Sequence, residues 1–232
     1  MKDSREAQGP QLTDKGQATR ARILRHAAEL IYADGVRATN NELIRNAAGV
    51  SGSQLAHYFP NKENLILGVI EWQADGIIGF HRSARFAGFD SVDAFQDWAD
   101  FYVLSGRPFE NGCSLGALAS EIVKTDLDIH EQLARAFEQW HDIFREGLER
   151  MQQLGRIDAS ADPVRLAHMF LAAYQGGMLL AQVARDIAPL RDSLYAAVDH
   201  LRTFAPTPPN AGDTPSRGRT GTNVGSVTTS KP

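Results

Sequence analysis

The sequence predicts an all-α fold: an N-terminal three-helix unit followed by a larger helical body, about nine helices in all. Three observations lead there. Apolar residues recur at spacings of three and four through most of the chain, and no sustained alternation bounded by turn residues is found. Cap signals (Ser, Asn or Asp ahead of an apolar run, Gly after it) punctuate those runs. The residues after Ala205, rich in Pro, Gly, Ser and Thr, fall outside the periodic region.

Helix 1 spans about 15–34, with Ile23, Ala27, Leu30 and Ile31 on one face and Gly35 as its stop. Helix 2 starts after Thr39, which forms a capping box with Glu42. Helix 3 starts after Ser51, and helix 4 after Asn61, running through the apolar stretch from Leu65 to Phe80. Helix 5 follows Ser91, with Val92, Phe95, Trp98 and Tyr102 in helical register, and helix 6 lies near 113–124. Helix 7 carries the longest stripe: Ile129, Leu133, Phe137, Trp140, Phe144, Leu148 and Met151. Asp162-Pro163 opens helix 8, which reaches about Ala184, and helix 9 covers about 189–204.

The domain organisation that follows is a disordered arm over 1–14, a helix-turn-helix unit over 15–62, a helical body over 63–204 and a disordered tail over 205–232. The tail is rich in Pro, Gly, Ser and Thr and has too little apolar surface to offset its ordering entropy.

Charge is unevenly spread. The net charge is −4, yet residues 1–64 hold nine Lys and Arg against seven Asp and Glu, whereas residues 65–204 hold twelve against twenty. A mildly basic head on an acidic body suits a protein that touches nucleic acid at one end. No apolar run approaches the roughly 18 residues of a membrane span and no signal peptide opens the chain, so no membrane partner is expected. A lone cysteine, Cys113, excludes an internal disulfide framework and suits the cytoplasm. No P-loop, GxGxxG, HExxH or nucleophile elbow occurs, and the seven His residues are scattered without metal-ligand spacing. Catalytic residues, metal and cofactor are therefore not expected. His81, with His26, His130, His168 and His200, reads as an ordinary helix-face residue.

The segment TNNELIRNAAGVSGSQLAHYFPNKE, residues 39–63, carries the most information. It reads as a short helix, a tight turn at Gly49, and a second short helix sized for a DNA major groove. Leu55 and Phe59 lie four apart and face inward, leaving Gly52, Ser53, Gln54, Ala56, His57 and Tyr58 nearer the outside. Ser and Gln side chains can bond base edges, Gln in bidentate fashion to adenine. His57 and Tyr58 suit phosphate oxygens. Asn61 and Lys62 place a cation and free N–H groups at a helix start, a natural phosphate site. Thr39, Arg45, Ser51, Gly52, Ser53, Gln54, His57, Tyr58 and Lys62 are the resulting DNA-contact candidates. The bland alternative is that Gln54 closes a capping box on Ser51, that Tyr58 packs, and that His57 is a bystander.

Residues 17–72 resemble the DNA-binding domain of TetR/AcrR-type transcriptional regulators. The resemblance rests on Ile23-Leu24, Ala27-Ala28, Leu30, Gly35, Ala38-Thr39, Ile44, Ala47-Ala48-Gly49-Val50-Ser51, Leu55, His57-Tyr58-Phe59-Pro60, Lys62-Glu63 and Leu65. It implies a homodimer, a palindromic double-stranded DNA operator, and a helical body whose small-molecule effector releases DNA. The chain departs from the family pattern at Asn41, Arg45, Gly52 and Ala56. Gly52 and Ala56 stand where Lys and Tyr are common, removing two phosphate contacts that Arg45 can partly restore.

In the body, Trp98, Phe101, Tyr102, Phe137, Trp140, Phe144 and Tyr174, with Phe170, form an unusual aromatic load. An apolar cavity with a few polar groups is the usual small-molecule site, and His141, Gln175, Tyr102 and Tyr174 can supply those groups. The ligand is expected to be largely apolar. By the resemblance, helices 8 and 9 form the dimer interface, with Leu171, Met178, Leu190, Leu194, Val198 and Leu201 as candidates and intrachain core as their alternative. Gly176-Gly177 inside helix 8 points to a close helix approach or ligand access. Cys113 sits at the predicted start of helix 6, where a helix N-terminus favours a reactive thiolate. It is a candidate electrophile or redox sensor, with a small buried apolar residue as the plainer reading. The competing overall reading is a helical ligand-binding or adaptor protein whose DNA binding has weakened.

Overall fold

The computed structural model describes residues 12–105, 110, 112–125, 127 and 129–206. Among them are nine α-helices and one short 3-10 helix, with no strand. The helices are α1 (Asp14–Asp34), α2 (Asn41–Ala48), α3 (Gly52–Tyr58), α4 (Lys62–His81), α5 (Val92–Leu104), α6 (Ser114–Ile122), α7 (His130–Gln153), α8 (Pro163–Ala184) and α9 (Ala188–Arg202). The 3-10 helix, Ala84–Phe89, joins α4 to α5 and was not anticipated from periodicity, which six residues are too few to display. Most of the expected arm and nearly all of the expected tail lie outside the described residues. Thr13 and Asp14, placed in that arm, instead cap and begin α1, the Thr13 hydroxyl accepting from Gly16 N at 3.2 Å.

The first three helices pack around Ile23, Leu24, Ala27, Ile31, Ile44, Leu55 and Phe59, all buried. Burying each large side chain stabilises the unit by roughly 1.5–3 kcal/mol relative to leaving it exposed. Gly49 ends α2 in the left-handed region at φ +61°, which turns the chain sharply into α3. Arg22 Nε donates to Ala48 O at 2.8 Å, so α1 also satisfies a carbonyl at the end of α2.

One expectation fails here. Thr39 does not cap α2. Asn40 does, accepting from Glu42 N at 3.0 Å and Leu43 N at 3.1 Å. The Thr39 hydroxyl turns inward instead and donates to Gly35 O at 2.9 Å, closing the α1–α2 loop. Asn caps at least as well as Thr and sits one residue nearer the first turn, so it takes the role.

Helix α4 joins head to body, since it packs against both α1 and α7. Gly68 is the point of closest approach to the head: a Cβ there would stand 2.9 Å from both Leu24 Cδ2 and a Phe59 ring carbon. In the body, α8 and α9 form the most extensive helix pair, and α9 also packs on α5. Tyr195 Oη donates to Asp100 Oδ1 at 2.8 Å, and Arg202 donates to Gln96 Oε1 at 2.7 Å, pinning α9 to α5. Gly177 lies so close to α9 that a Cβ would run into Ser193 Oγ and press on Leu190. Close helix approach therefore explains Gly177, whereas Gly176 faces open space. A single continuous hydrophobic core runs from α1 to α9. None of the described helices is long and apolar enough to cross a membrane.

Candidate nucleic-acid interface and ligand cavity

Helix α3 presents a short polar ridge. Ser51, Gly52, Ser53, Gln54, Ala56 and His57 are exposed, while Leu55 and Phe59 anchor the helix inside. Ser51 and Gln54 form a reciprocal capping box: Ser51 Oγ accepts from Gln54 N at 3.1 Å, and Gln54 Oε1 accepts from Ser51 N at 2.9 Å. The amide oxygen of Gln54 is thus committed to the helix start, which removes the bidentate geometry toward adenine unless the box opens. Ser53 Oγ lies 2.9 Å from Ser51 Oγ. Tyr58 is half-buried, edge-on to His57 at 5.1 Å and close to Gly16 on α1, so its ring packs while His57 points outward.

Two cationic candidates differ. Arg45 is exposed on α2, with a long 3.9 Å ion pair to Glu42 that leaves the guanidinium available. Lys62, at the first position of α4, donates from Nζ to Thr39 O at 3.1 Å, stapling α4 to the α1–α2 loop. Thr39 itself is buried and cannot reach a phosphate with its side chain, which corrects its place among the DNA contacts.

Between α4, α5, α6, α7 and α8 lies a cavity of about 560 Å³. Its wall includes Trp72, Gln73, Ile77, Phe80 and His81 from α4, Tyr102 from α5, Cys113 beside α6, Trp140 from α7 and Tyr174 from α8. Of the sequence-based ligand candidates, Tyr102, Trp140 and Tyr174 are on the wall. Gln175 reaches its edge, donating to Cys113 Sγ at 3.4 Å.

The others are elsewhere. Trp98 and Phe144 are fully buried and stack edge-on at 5.0 Å, so they are core. Phe137 backs onto Trp140 from outside the cavity. Phe101 lies against Phe80 with the Arg85 guanidinium 4.5 Å above it, at a separate surface hollow. His141 is buried on the far side of α7, where Nε2–H donates to Val164 O at 3.2 Å and the ring lies 4.2 Å from His168. Periodicity identifies inward faces but not which inward residues meet a gap.

The α4 wall was missed because its residues read as plain apolar helix. His81 is the clearest case, being buried and no ordinary helix-face residue. Its Nδ1–H donates to Ile77 O at 2.8 Å, and its Nε2 accepts from Trp98 Nε1 at 3.0 Å, which fixes the neutral tautomer. Burial, partly opposed by the Ile77 bond, lowers its pKa from 6.5 to about 4. Burial likewise pushes the hydroxyls of Tyr102 and Tyr174 well above the usual range, and their rings lie 4.7 Å apart. Among the described residues the wall holds one acidic side chain, the exposed Asp75, and no Lys or Arg. Among the described residues no group of three His, Cys, Asp or Glu could hold a metal ion.

Cys113 caps α6, with Sγ accepting from Gly116 N at 3.4 Å, and is half-buried on the cavity wall. On α8, Leu179, Leu180 and Val183 are 61%, 59% and 76% exposed, with Gly176 one turn before them. The expected interface residues Met178, Leu190, Leu194, Val198 and Leu201 are instead between 0% and 2% exposed, packed within the chain. They cannot meet a second copy directly, and Leu171 is only half-buried beside them.

A helix-turn-helix head fused to a helical body with an apolar cavity defines a class of DNA-binding transcription regulators, and known proteins share the pattern. Residues 23–69 match the family model for bacterial regulatory proteins of the tetR family, and residues 91–194 match the C-terminal domain of LmrA/YxaF-like transcriptional regulators. Together these matches span most of the described helices, and the chain belongs to the TetR family of DNA-binding transcriptional regulators.

The HTH-type transcriptional regulator YxaF of Bacillus subtilis is 25% identical over 186 residues, 77% of this chain and 92% of that protein. The HTH-type transcriptional repressor DhaR of Mycobacterium sp. is 29% identical over 90 residues, 39% of this chain and 46% of that protein. A TetR-family regulator from Cytophaga hutchinsonii superposes with a TM-score of 0.74 at 15% identity, covering 85% of this chain and 100% of that one.

Proposed function

We propose that the protein is a dimeric repressor in the cytoplasm that holds a palindromic operator through two α3 ridges and lets go when a small, largely apolar effector fills the body cavity. The observation that carries the reading is the route of α4. One helix staples the α1–α2 loop through Lys62 at its start and lines the cavity through Gln73, Ile77, Phe80 and His81 near its end. A ligand that shifts the cavity end of α4 therefore bears on the head. Release is then a population shift between two dimer states, of which only one spaces the heads one helical turn apart.

Pairing is best supplied by the exposed α8 stripe of Gly176, Leu179, Leu180 and Val183, which meets its own symmetry mate in an isologous dimer. The contacts with DNA are assigned to Ser53, His57 and Arg45, with Gln54 and Lys62 holding the local frame. DhaR, similar over its matched stretch, is named a repressor, which supports that sign of action.

Footprinting on the DNA upstream of the protein's own gene tests the reading. Protection of two symmetric half-sites about one helical turn apart supports it. Protection of one half-site by a monomer would exclude the dimeric form.

A second reading is favoured by the place of Cys113, whose sulfur is on the cavity wall. There the effector is an α,β-unsaturated carbonyl compound: the thiolate adds to the β-carbon and a proton from water completes the α-carbon. Cys113→Ser abolishing release by such compounds supports this reading, and unchanged release removes it.

A further inference from the structure

Two residues of the cavity wall each carry a buried polar atom with no hydrogen-bond partner among the described residues: Gln73 Oε1 on α4 and Trp140 Nε1 on α7. Their residues are 7% and 1% exposed. One atom only accepts and the other only donates. Burying such a group unpaired is unfavourable, so a native fold that keeps two of them on residues of one cavity wall invites a ligand that completes both.

Several other polar atoms of the wall are already engaged. Both His81 nitrogens are bonded, and Cys113 Sγ accepts from Gly116 N and Gln175 Nε2. Gln73 also faces a second hollow of about 310 Å³, walled by Arg25, Ala28, Glu29 and Tyr32 of α1 and sharing Trp72, Gln73, Gly112 and Ser114 with the first. Gln73 thus stands where the two hollows meet. Apart from the exposed Ser114 and Asp75, the rest of the described wall is apolar or aromatic, offers no cation to an anionic ligand, and holds a neutral imidazole. An ionised ligand would lose its hydration there without a paired charge in return.

We propose that the cavity selects an uncharged, flat aromatic ligand that places a hydrogen-bond acceptor on Trp140 Nε1 and a donor on Gln73 Oε1. The inference rests on the reading of this cavity as the effector site and specifies its ligand chemistry.

Calorimetric binding of four bicyclic probes to the full chain tests it: naphthalene, 2-naphthol, 1-tetralone and 6-hydroxy-1-tetralone. We expect each satisfied polar atom to tighten binding about tenfold, so that the hydroxyketone binds tightest and naphthalene weakest. Trp140→Phe should erase the advantage of 1-tetralone over naphthalene, and Gln73→Met the advantage conferred by the hydroxyl. Retained naphthalene binding by each variant shows that its cavity is intact. Equal affinities across the probes, an order unchanged in both variants, or no binding of any probe would overturn the proposal. Operator binding is measured separately. A chain that footprints its operator yet ignores probe polarity keeps the regulatory reading and loses this one.

Discussion

The Glu121 carboxylate accepts a 2.7 Å hydrogen bond from Val36 N, tying the last turn of α6 to the loop between α1 and α2. Helix α6 begins at the cavity, where Cys113 caps it, and ends at the head, where Glu121 holds a buried residue. Glu121→Ala leaves the Val36 N–H without this partner. We expect a loss of about 1–3 kcal/mol in urea unfolding, with Glu121→Gln losing less because it keeps an acceptor. Equal stability of Glu121→Ala and the parent would show that the bond contributes nothing.

Acid should weaken the body through His81. The folded chain holds His81 neutral down to about pH 4, whereas an unfolded chain protonates it near 6.5. The unfolded state therefore gains protons first as pH falls. Stability is whole above 6.5 and declines across the window from 6.5 to 4, by up to about 3 kcal/mol from this residue. In His81→Gln, unfolding free energy measured between pH 7 and 4.5 should show a pH slope shallower by about one proton. An unaltered slope would remove His81 as the cause.

The exposed α8 stripe predicts the oligomer. Val183→Glu or Leu180→Glu should convert a dimer to a folded monomer in light scattering, because both side chains lie outside the chain's own core. Operator affinity should fall more than tenfold as the two heads lose their link. A variant that stays dimeric would place the interface elsewhere.

On the head, Arg45→Ala should weaken binding to all sequences alike and reduce the salt slope by about one. His57→Ala tests whether the exposed ring reads a base or a phosphate: it should change the ranking of operator variants in the first case and the salt slope in the second. Gln54→Ala should relax base specificity, and Lys62→Ala should weaken all sites with a shallower salt slope, if those side chains touch DNA. Capping and stapling roles predict instead a stability loss of about 1 kcal/mol for Gln54→Ala with operator ranking unchanged, measured by competition binding.

Much of this was legible in the sequence, for reasons that differ by region. The helices were readable because caps such as Ser51, Asn61, Ser91 and Asp162 stand directly before their apolar runs. The α2 cap was misplaced by one residue because Thr39 and Asn40 are both good caps, and only the inward turn of the Thr39 hydroxyl separates them. The inward faces of α5 and α7 were found, whereas the apolar residues of α8 and α9 were read as a dimer interface with intrachain core as the alternative. Which inward residues meet a cavity, a neighbouring helix or a second chain depends on packing between distant segments, which no local spacing encodes. Trp98 and Tyr102 lie one turn apart on α5, yet one is core and the other is cavity wall. Met178 and Leu179 are adjacent, yet one is buried and the other exposed.

The proposed function stands or falls with the α3 ridge reading a specific DNA sequence. The most direct measurement is fluorescence anisotropy of the full chain on DNA from upstream of its own gene, titrated with unlabelled random DNA across a salt series. We expect tight binding to one upstream segment at physiological salt, at least a thousandfold preference over random DNA, and a linear fall of log affinity with log salt. Equal affinity for the upstream and random sequences at every salt concentration would contradict it.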